Sequence, residues 1–155
     1  MGFRPLQAPQ PRLPDPATME RAIALYLALI ISLVVHEYMH ALAGYLLGDE
    51  TAKRMGRLTL NPLAHADLVG TFLLPLLAIF SHFPVIGWAK PVPFNPYNLR
   101  DQKWGPTVVA LAGPAANFSM AALFLGALKA LLEVAHLPLF NLLVIFLGYL
   151  VIINV

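Results

Sequence analysis

The sequence contains no cysteine among its 155 residues. Disulfide bonds are therefore excluded, and so are metal sites built from thiolates. Any metal site in this chain has to use nitrogen and oxygen ligands from histidine and carboxylate side chains. Such ligand sets are more typical of catalytic metal sites than of structural ones.

Charged residues are also scarce, since they make up 12% of the sequence against about 25% in an ordinary soluble domain. The net charge is only +2, and no run of Lys and Arg is long enough to follow a phosphate backbone, which excludes nucleic acid as a partner. Hydrophobic residues make up 59% of the chain, more than a soluble core of this size can bury. The composition predicts a protein embedded in a lipid bilayer.

The apolar residues fall into segments separated by polar loops. The second segment contains Pro75 and is barely long enough to span a bilayer, which favours a short or kinked helix. In the first segment, Gly44 and Gly48 predict the close approach of a neighbouring helix. The pattern predicts an all-α polytopic membrane protein with about four transmembrane helices, at about Glu20–Gly48, Leu68–Val85, Pro106–Glu133 and from Leu137 onwards.

Residues 1–19 differ from the rest because they carry five prolines and little apolar surface. We expect a disordered leader there and a membrane-embedded core over residues 20–155. No charge, cap or interfacial aromatic follows the fourth segment, so the core is expected to be cut short at its C-terminus. An alternative is that Arg21 and the apolar run after it form a signal peptide cleaved before Gly44.

A proline-rich loop is predicted between the second and third segments, at Gly87–Asn98, because three prolines within six residues bias their predecessors toward extended geometry. Two interpretations stay open. The aromatic residues of this region suit a belt at the lipid headgroups, namely Trp88, Tyr97 and Trp104. Alternatively, an extended segment can hold an unwound substrate strand by edge pairing, with side-chain contacts from Val92 and Phe94.

The most informative feature is the run His36-Glu37-Tyr38-Met39-His40 in the first apolar segment. Positions i and i+4 share a face of a helix, so His36 and His40 can offer ring nitrogens to one metal ion. Glu37 lies about 100° round the helix. From there its carboxylate can take a proton from a water molecule at the metal without becoming a ligand. This pattern predicts a zinc hydrolase working within the bilayer.

The surroundings of this motif decide between a metal site and a structural role. An ionisable group at mid-membrane costs about 2.5–3.5 kcal/mol of insertion free energy. Three of them within five residues therefore need a favourable interaction that offsets this cost. Metal coordination is the simplest offset, and a satisfied polar cluster between packed helices is the alternative. Asn117, in the third segment, is likewise either a hydrogen-bonding contact between helices or a polar group lining the active site.

Three sequence blocks together resemble the site-2 protease family of intramembrane zinc metalloproteases. They are the motif His36–His40, the Gly87–Pro96 part of the proline-rich loop, and Leu111–Phe118 on the third segment. The segment Asn61–Asp67 is also similar, although Leu68 stands where the family often has a proline.

The resemblance implies an intramembrane zinc metalloendopeptidase that cleaves membrane-embedded protein substrates. His36 and His40 would be the zinc ligands, and Glu37 would activate the water. The family takes its third ligand from an Asp that we expect beyond Val155. Two other classes stay open, a catalytically inactive membrane scaffold and a transporter with a buried His/Glu relay.

Other residues are weaker candidates for a third ligand. Asp67 is the best-placed carboxylate, while His65 and His82 are the spare imidazoles, which fit loop or interface positions better. The remaining carboxylates near apolar segments are predicted to be solvated helix ends. These are Asp49, Glu50, Asp101 and Glu133.

Overall fold

The computed structural model describes residues 15–81, 87–134 and 141–155, and within these ranges every regular element is helical. Part of the predicted leader, together with His82 and Val85, lies outside the described residues. The α-helices are α1 (Pro16–Leu46), α2 (Thr51–Arg54), α3 (Pro62–His65), α4 (Leu74–Ser81), α5 (Gly105–Val134) and α6 (Asn141–Ile153). A π-helical turn, Leu68–Leu73, precedes α4, and a 3₁₀ turn, Pro96–Asn98, precedes α5.

The first helix starts four residues before the apolar pattern indicates, for a local reason. The Asp15 side chain accepts a hydrogen bond from the Thr18 amide at 2.7 Å, and Pro16 occupies the first helical position. A carboxylate cap satisfies one of the free amides of the first turn, and proline there sacrifices no helical hydrogen bond. These two residues therefore extend the helix beyond its apolar part.

The same helix ends in a Schellman motif at Gly48. The Gly48 amide donates to the Tyr45 carbonyl at 3.1 Å, and the Asp49 amide donates to the Gly44 carbonyl at 2.9 Å. Gly48 has φ +109°, a conformation that side chains rarely adopt. The motif turns the chain sharply at the end of α1 and directs Asp49 back toward the protein.

The helices α1, α5 and α6 pack against one another in pairs. The α1 and α5 helices run antiparallel, because His40 contacts Val109 whereas His36, one turn earlier, adjoins Asn117. Pro114 lies inside α5 without ending it. Since proline has no amide hydrogen, the Ala110 carbonyl loses its usual helical partner.

Small-residue packing at the end of α1 differs from the prediction. No described atom comes within 4 Å of the position a Cβ would take at Gly44, so no helix among the described residues approaches closely there. A Cβ at Gly48 would lie 3.2 Å from the Asn98 carbonyl oxygen. The close neighbour of Gly48 is therefore the chain that leads into α5, not a helix.

Two of the described helices, α1 and α5, are long and apolar enough to cross a membrane. In each, only 22% of the most apolar stretch is buried inside the protein. Large apolar side chains such as Ile23, Leu27 and Leu123 point outward. The remaining apolar helices described, around α4 and in α6, are shorter, and the prediction of about four spans stays a prediction.

Replacing Gly48 by Ala should destabilise the fold, because a side chain at this backbone angle costs about 1–3 kcal/mol and also meets the Asn98 carbonyl. We expect a lower thermal unfolding midpoint in detergent, measured by circular dichroism. Gly44→Ala on the same helix is the control, and it should unfold at or above the wild-type temperature since its Cβ meets nothing described. Equal midpoints for the two variants would contradict this account of the α1 terminus.

Candidate metal centre

The two histidines of the α1 motif converge on one point. His36 Nε2 and His40 Nε2 lie 3.0 Å apart, and zinc–nitrogen bonds of about 2.0–2.1 Å allow one ion to contact both. His40 Nδ1 lies 2.6 Å from the Val109 carbonyl oxygen. A carbonyl can only accept, so Nδ1 carries the proton and leaves Nε2 with a lone pair in the neutral ring. The α5 backbone thus sets the tautomer that a metal ligand needs.

Gly113 of α5 faces the two ring nitrogens directly. A Cβ at this position would come within 2.6 Å of His36 Nε2 and closer still to His40 Nε2. Any side chain here would therefore fill the space in front of both lone pairs. The absence of a side chain at residue 113 leaves room for an ion between α1 and α5.

Glu37 lies beside this pair but faces a different part of the chain. Its Oε2 accepts a hydrogen bond from the Val92 amide at 2.9 Å. Val92 belongs to residues 87–98, which we name the proline segment. A small cavity of about 190 Å³ lies between α1, the proline segment and α5. Its walls are formed by Glu37, His40, Pro91, Val92, Phe94, Val109 and Ala110. A carboxylate, an imidazole and open space therefore meet at one place.

Asn117 completes the polar face of α5 one turn beyond Gly113. Its amide adjoins the His36 imidazole, and its Oδ1 is buried with no hydrogen-bond partner in the described part of the chain. A buried polar atom without a partner costs about 1–3 kcal/mol. Of the two sequence-based interpretations, the position beside His36 favours the group that lines the site.

Two of the weaker sequence candidates for a third ligand, Asp67 and His65, make other hydrogen bonds. Asp67 caps the π-helical turn, where its Oδ1 accepts from the amides of Val69 and Gly70 at 3.0 and 2.7 Å. His65 is buried, and its Nε2 donates to the Thr59 carbonyl at 2.8 Å. His82 lies outside the described residues. Within residues 15–81, 87–134 and 141–155, no group of three His, Asp or Glu side chains surrounds a common point.

The prediction that Asp49 is a solvated helix end is wrong, because its side chain is only 1% exposed. Its Oδ1 accepts from the Thr51 amide, the Thr51 hydroxyl and Asn98 Nδ2, and its Oδ2 accepts from the Asn95 amide. Burial raises the pKa of this carboxyl, but the hydrogen bonds from Thr51 and Asn98 outweigh burial and lower it. The group is therefore ionised at neutral pH. An Asp directly after a helix-ending Gly, with Thr two residues later, was the available sequence clue.

Curated relatives of the chain carry names that refer to a metalloprotease. The chain is 42% identical over 97 residues to a Bacillus subtilis protein named "Putative zinc metalloprotease YwhC", a match that covers 63% of this chain and 41% of the relative. It is 36% identical over 110 residues to "Putative zinc metalloprotease Rip2" of Mycolicibacterium smegmatis, over 69% of this chain and 40% of the relative.

The Mycobacterium tuberculosis protein of the same name is 30% identical over 107 residues, again over 69% of this chain and 40% of the relative. The chain therefore spans about two fifths of the length of these relatives. No family model and no solved structure matches it.

Replacing Gly113 by Ala should abolish metal binding by the purified protein without unfolding it, because the new methyl group takes the space in front of both imidazoles. Zinc content by elemental analysis is the measurement, with circular dichroism as the check on folding. Gly126→Ala is the matched control on the same helix, since its Cβ meets nothing within 4 Å. Full zinc occupancy in Gly113→Ala would show that the ion does not lie between α1 and α5.

Proposed function

We propose that this protein is an intramembrane zinc metalloendopeptidase of the site-2 protease type, which cleaves membrane-embedded protein substrates. The observation that carries the proposal is the convergence of His36 Nε2 and His40 Nε2, 3.0 Å apart, next to a cavity that Glu37 also lines. The similarity to proteins named as zinc metalloproteases supports the same chemistry.

The outward face of the long helices supports a multi-pass membrane location. A core helix of a soluble protein buries most of its apolar surface. In α1 and in α5, only 22% of the most apolar stretch is buried within the protein. Such a surface is costly in water and favourable in hydrocarbon. The lipid bilayer is therefore the solvent that fits these two helices.

His36 and His40 would supply two of the protein ligands of the zinc ion. Their donor atoms suit zinc because a neutral imidazole is a common zinc ligand, and the Val109 carbonyl fixes the orientation and the tautomer of the His40 ring. When bound, zinc supplies a Lewis acid that polarises the scissile carbonyl and lowers the pKa of a water molecule toward about 7.

Glu37 would move the proton in the proposed reaction. Its carboxylate takes one proton from the water while the water oxygen bonds to the carbonyl carbon of the substrate. The same carboxyl then gives this proton to the amide nitrogen as the carbon–nitrogen bond breaks. Glu37 returns to its ionised form, and one water molecule has been added across the peptide bond.

The proline segment would hold the substrate in an extended form. A peptide bond in a helix has to be unwound before its carbonyl can be attacked, and an extended chain can pair with a backbone edge. Pro91 and Pro93 have no amide hydrogen, and the Val92 amide is engaged by Glu37. The Phe94 amide has no acceptor among the described residues, so it is the donor we assign to the substrate strand.

Replacing Glu37 by Gln should leave zinc bound and reduce cleavage of a membrane-anchored reporter by about 10²–10⁴-fold, the usual contribution of a general base. His36→Ala and His40→Ala should lose the metal as well as the activity. Glu20→Gln, at the other end of α1, is the control and should cleave normally.

Each outcome separates the proposed enzyme from its alternatives. Wild-type cleavage by Glu37→Gln would contradict the role of this carboxylate. Wild-type protein that never retains zinc would favour an inactive scaffold. Bound zinc without cleavage of any membrane-anchored reporter would favour a transporter with a His/Glu relay.

A further inference from the structure

Among the described residues, Asp49 is the one buried carboxylate that the proposed reaction does not use. Four hydrogen-bond donors surround it, at distances between 2.5 and 3.0 Å. Two of the donors belong to Thr51, two residues after Asp49 in the chain. The other two belong to Asn95 and Asn98, which lie in the proline segment 46 and 49 residues further on.

Glu37 of α1 and Asp49, just after the end of α1, contact the proline segment at two points. Glu37 lies nine residues before the end of α1 at Leu46, which is about 14 Å along the axis, and Asp49 follows three residues after that end. The three residue steps from Val92 to Asn95 can span about 10 Å when extended, and the 3₁₀ turn Pro96–Asn98 follows. The Val92 amide contacts Glu37, and the Asn98 side chain contacts Asp49. The segment therefore follows the last part of α1 from one carboxylate to the other.

The proline segment has different partners before and after Val92. Before Val92, the partners lie in α3 and the π-helical turn, since the Lys90 amide donates to the His65 carbonyl at 2.8 Å and the Thr71 hydroxyl donates to the Trp88 carbonyl at 2.9 Å. From Asn95 to Asn98, the acceptor is the Asp49 carboxylate, just after the end of α1. The next contact to α1 is the Arg100 amide on the Leu47 carbonyl.

We propose that Asp49 is a positioning residue of the peptidase, which fixes the proline segment so that the Val92 amide stays on Glu37 and the cavity keeps its shape. This inference depends on the proposed function. The Asp49 carboxylate contacts neither the cavity nor the converging imidazoles, so it acts on Glu37 only through the segment. The Asp49 carboxylate suits this role because an ionised acceptor makes stronger hydrogen bonds than a neutral one.

Asp49→Asn tests this with almost no change in shape. All four neighbours of the carboxylate are donors, and three of them point at Oδ1. An asparagine keeps those three hydrogen bonds by placing its oxygen at the Oδ1 position. Its NH₂ group then faces the Asn95 amide, and two donors cannot form a hydrogen bond with each other. The substitution therefore removes the Asn95 contact, one of the two contacts to the proline segment, and keeps those of Thr51 and Asn98.

We expect Asp49→Asn to lower kcat for the reporter about tenfold, as for the loss of one hydrogen bond to a charged acceptor, with KM and zinc content unchanged. Val92→Pro, which deletes the amide hydrogen itself, should lower kcat to a similar extent. The double variant should be no slower than the slower single variant, because both changes break the same connection.

Asp101→Asn is the matched control. Its Oδ1 accepts from the amides of Lys103 and Trp104 at 2.8 and 3.0 Å, which an asparagine oxygen can also do. It makes no contact with Asn95 or Asn98. We expect wild-type kcat from this variant.

A second measurement does not depend on activity. Because the chain has no cysteine, Val92→Cys introduces a single thiol at a half-buried position beside Glu37. Its labelling by a maleimide should become about tenfold faster in the Asp49→Asn background and stay unchanged in the Asp101→Asn background. This result is expected whether or not the protein cleaves a reporter.

The outcomes distinguish this inference from the proposed function. Unchanged labelling together with wild-type kcat in Asp49→Asn would overturn the positioning role, even if Glu37→Gln is inactive. Faster labelling in a protein that neither binds zinc nor cleaves would keep Asp49 as the anchor of the segment and would overturn the peptidase. Loss of zinc in Asp49→Asn would also overturn the proposal, since it would show an effect on the metal site itself.

Discussion

The packing of α5 against the His36/His40 face of α1 is the contact on which the rest of the site depends. Two imidazoles one turn apart are flexible until something sets their tautomer and keeps space in front of them. The Val109 carbonyl does the first, at 2.6 Å from His40 Nδ1, and the missing side chain of Gly113 does the second. A shift of α5 by a single residue would place a methyl or larger group at that point.

The same helix pair also explains why polar groups can exist in so apolar a structure. The imidazoles, the Glu37 carboxylate and the Asn117 amide all point toward the interface of α1 with α5 and the proline segment, whereas the outward surfaces are apolar. Buried polar groups are tolerated when they find partners. Here the Val109 carbonyl is the partner of His40 and the Val92 amide is the partner of Glu37, while the Asn117 amide lies beside His36.

The long helices and the shared face of His36 and His40 could be predicted from the sequence with few errors, while zinc binding by this pair stays a prediction. The first and third apolar segments correspond to α1 and α5, and the His36/His40 spacing places both rings on one face as the helical period requires. The start of α1 was missed because a capping Asp15 and Pro16 extend the helix beyond its apolar part. The burial of Asp49 was missed because an Asp at the end of an apolar segment is usually solvated.

The sequence by itself determined which residues are helical and which histidines share a face, because both follow from repeats over a few residues along one helix. Only the tertiary structure decided which groups meet those histidines, Glu37 and Asp49. The contacts from Val109, Gly113, Val92 and Asn95 join residues dozens of positions apart. Three of these contacts use backbone atoms and the fourth uses the absence of a side chain. Since every residue has a backbone, such contacts leave no pattern in the amino-acid sequence and arise only when the helices pack.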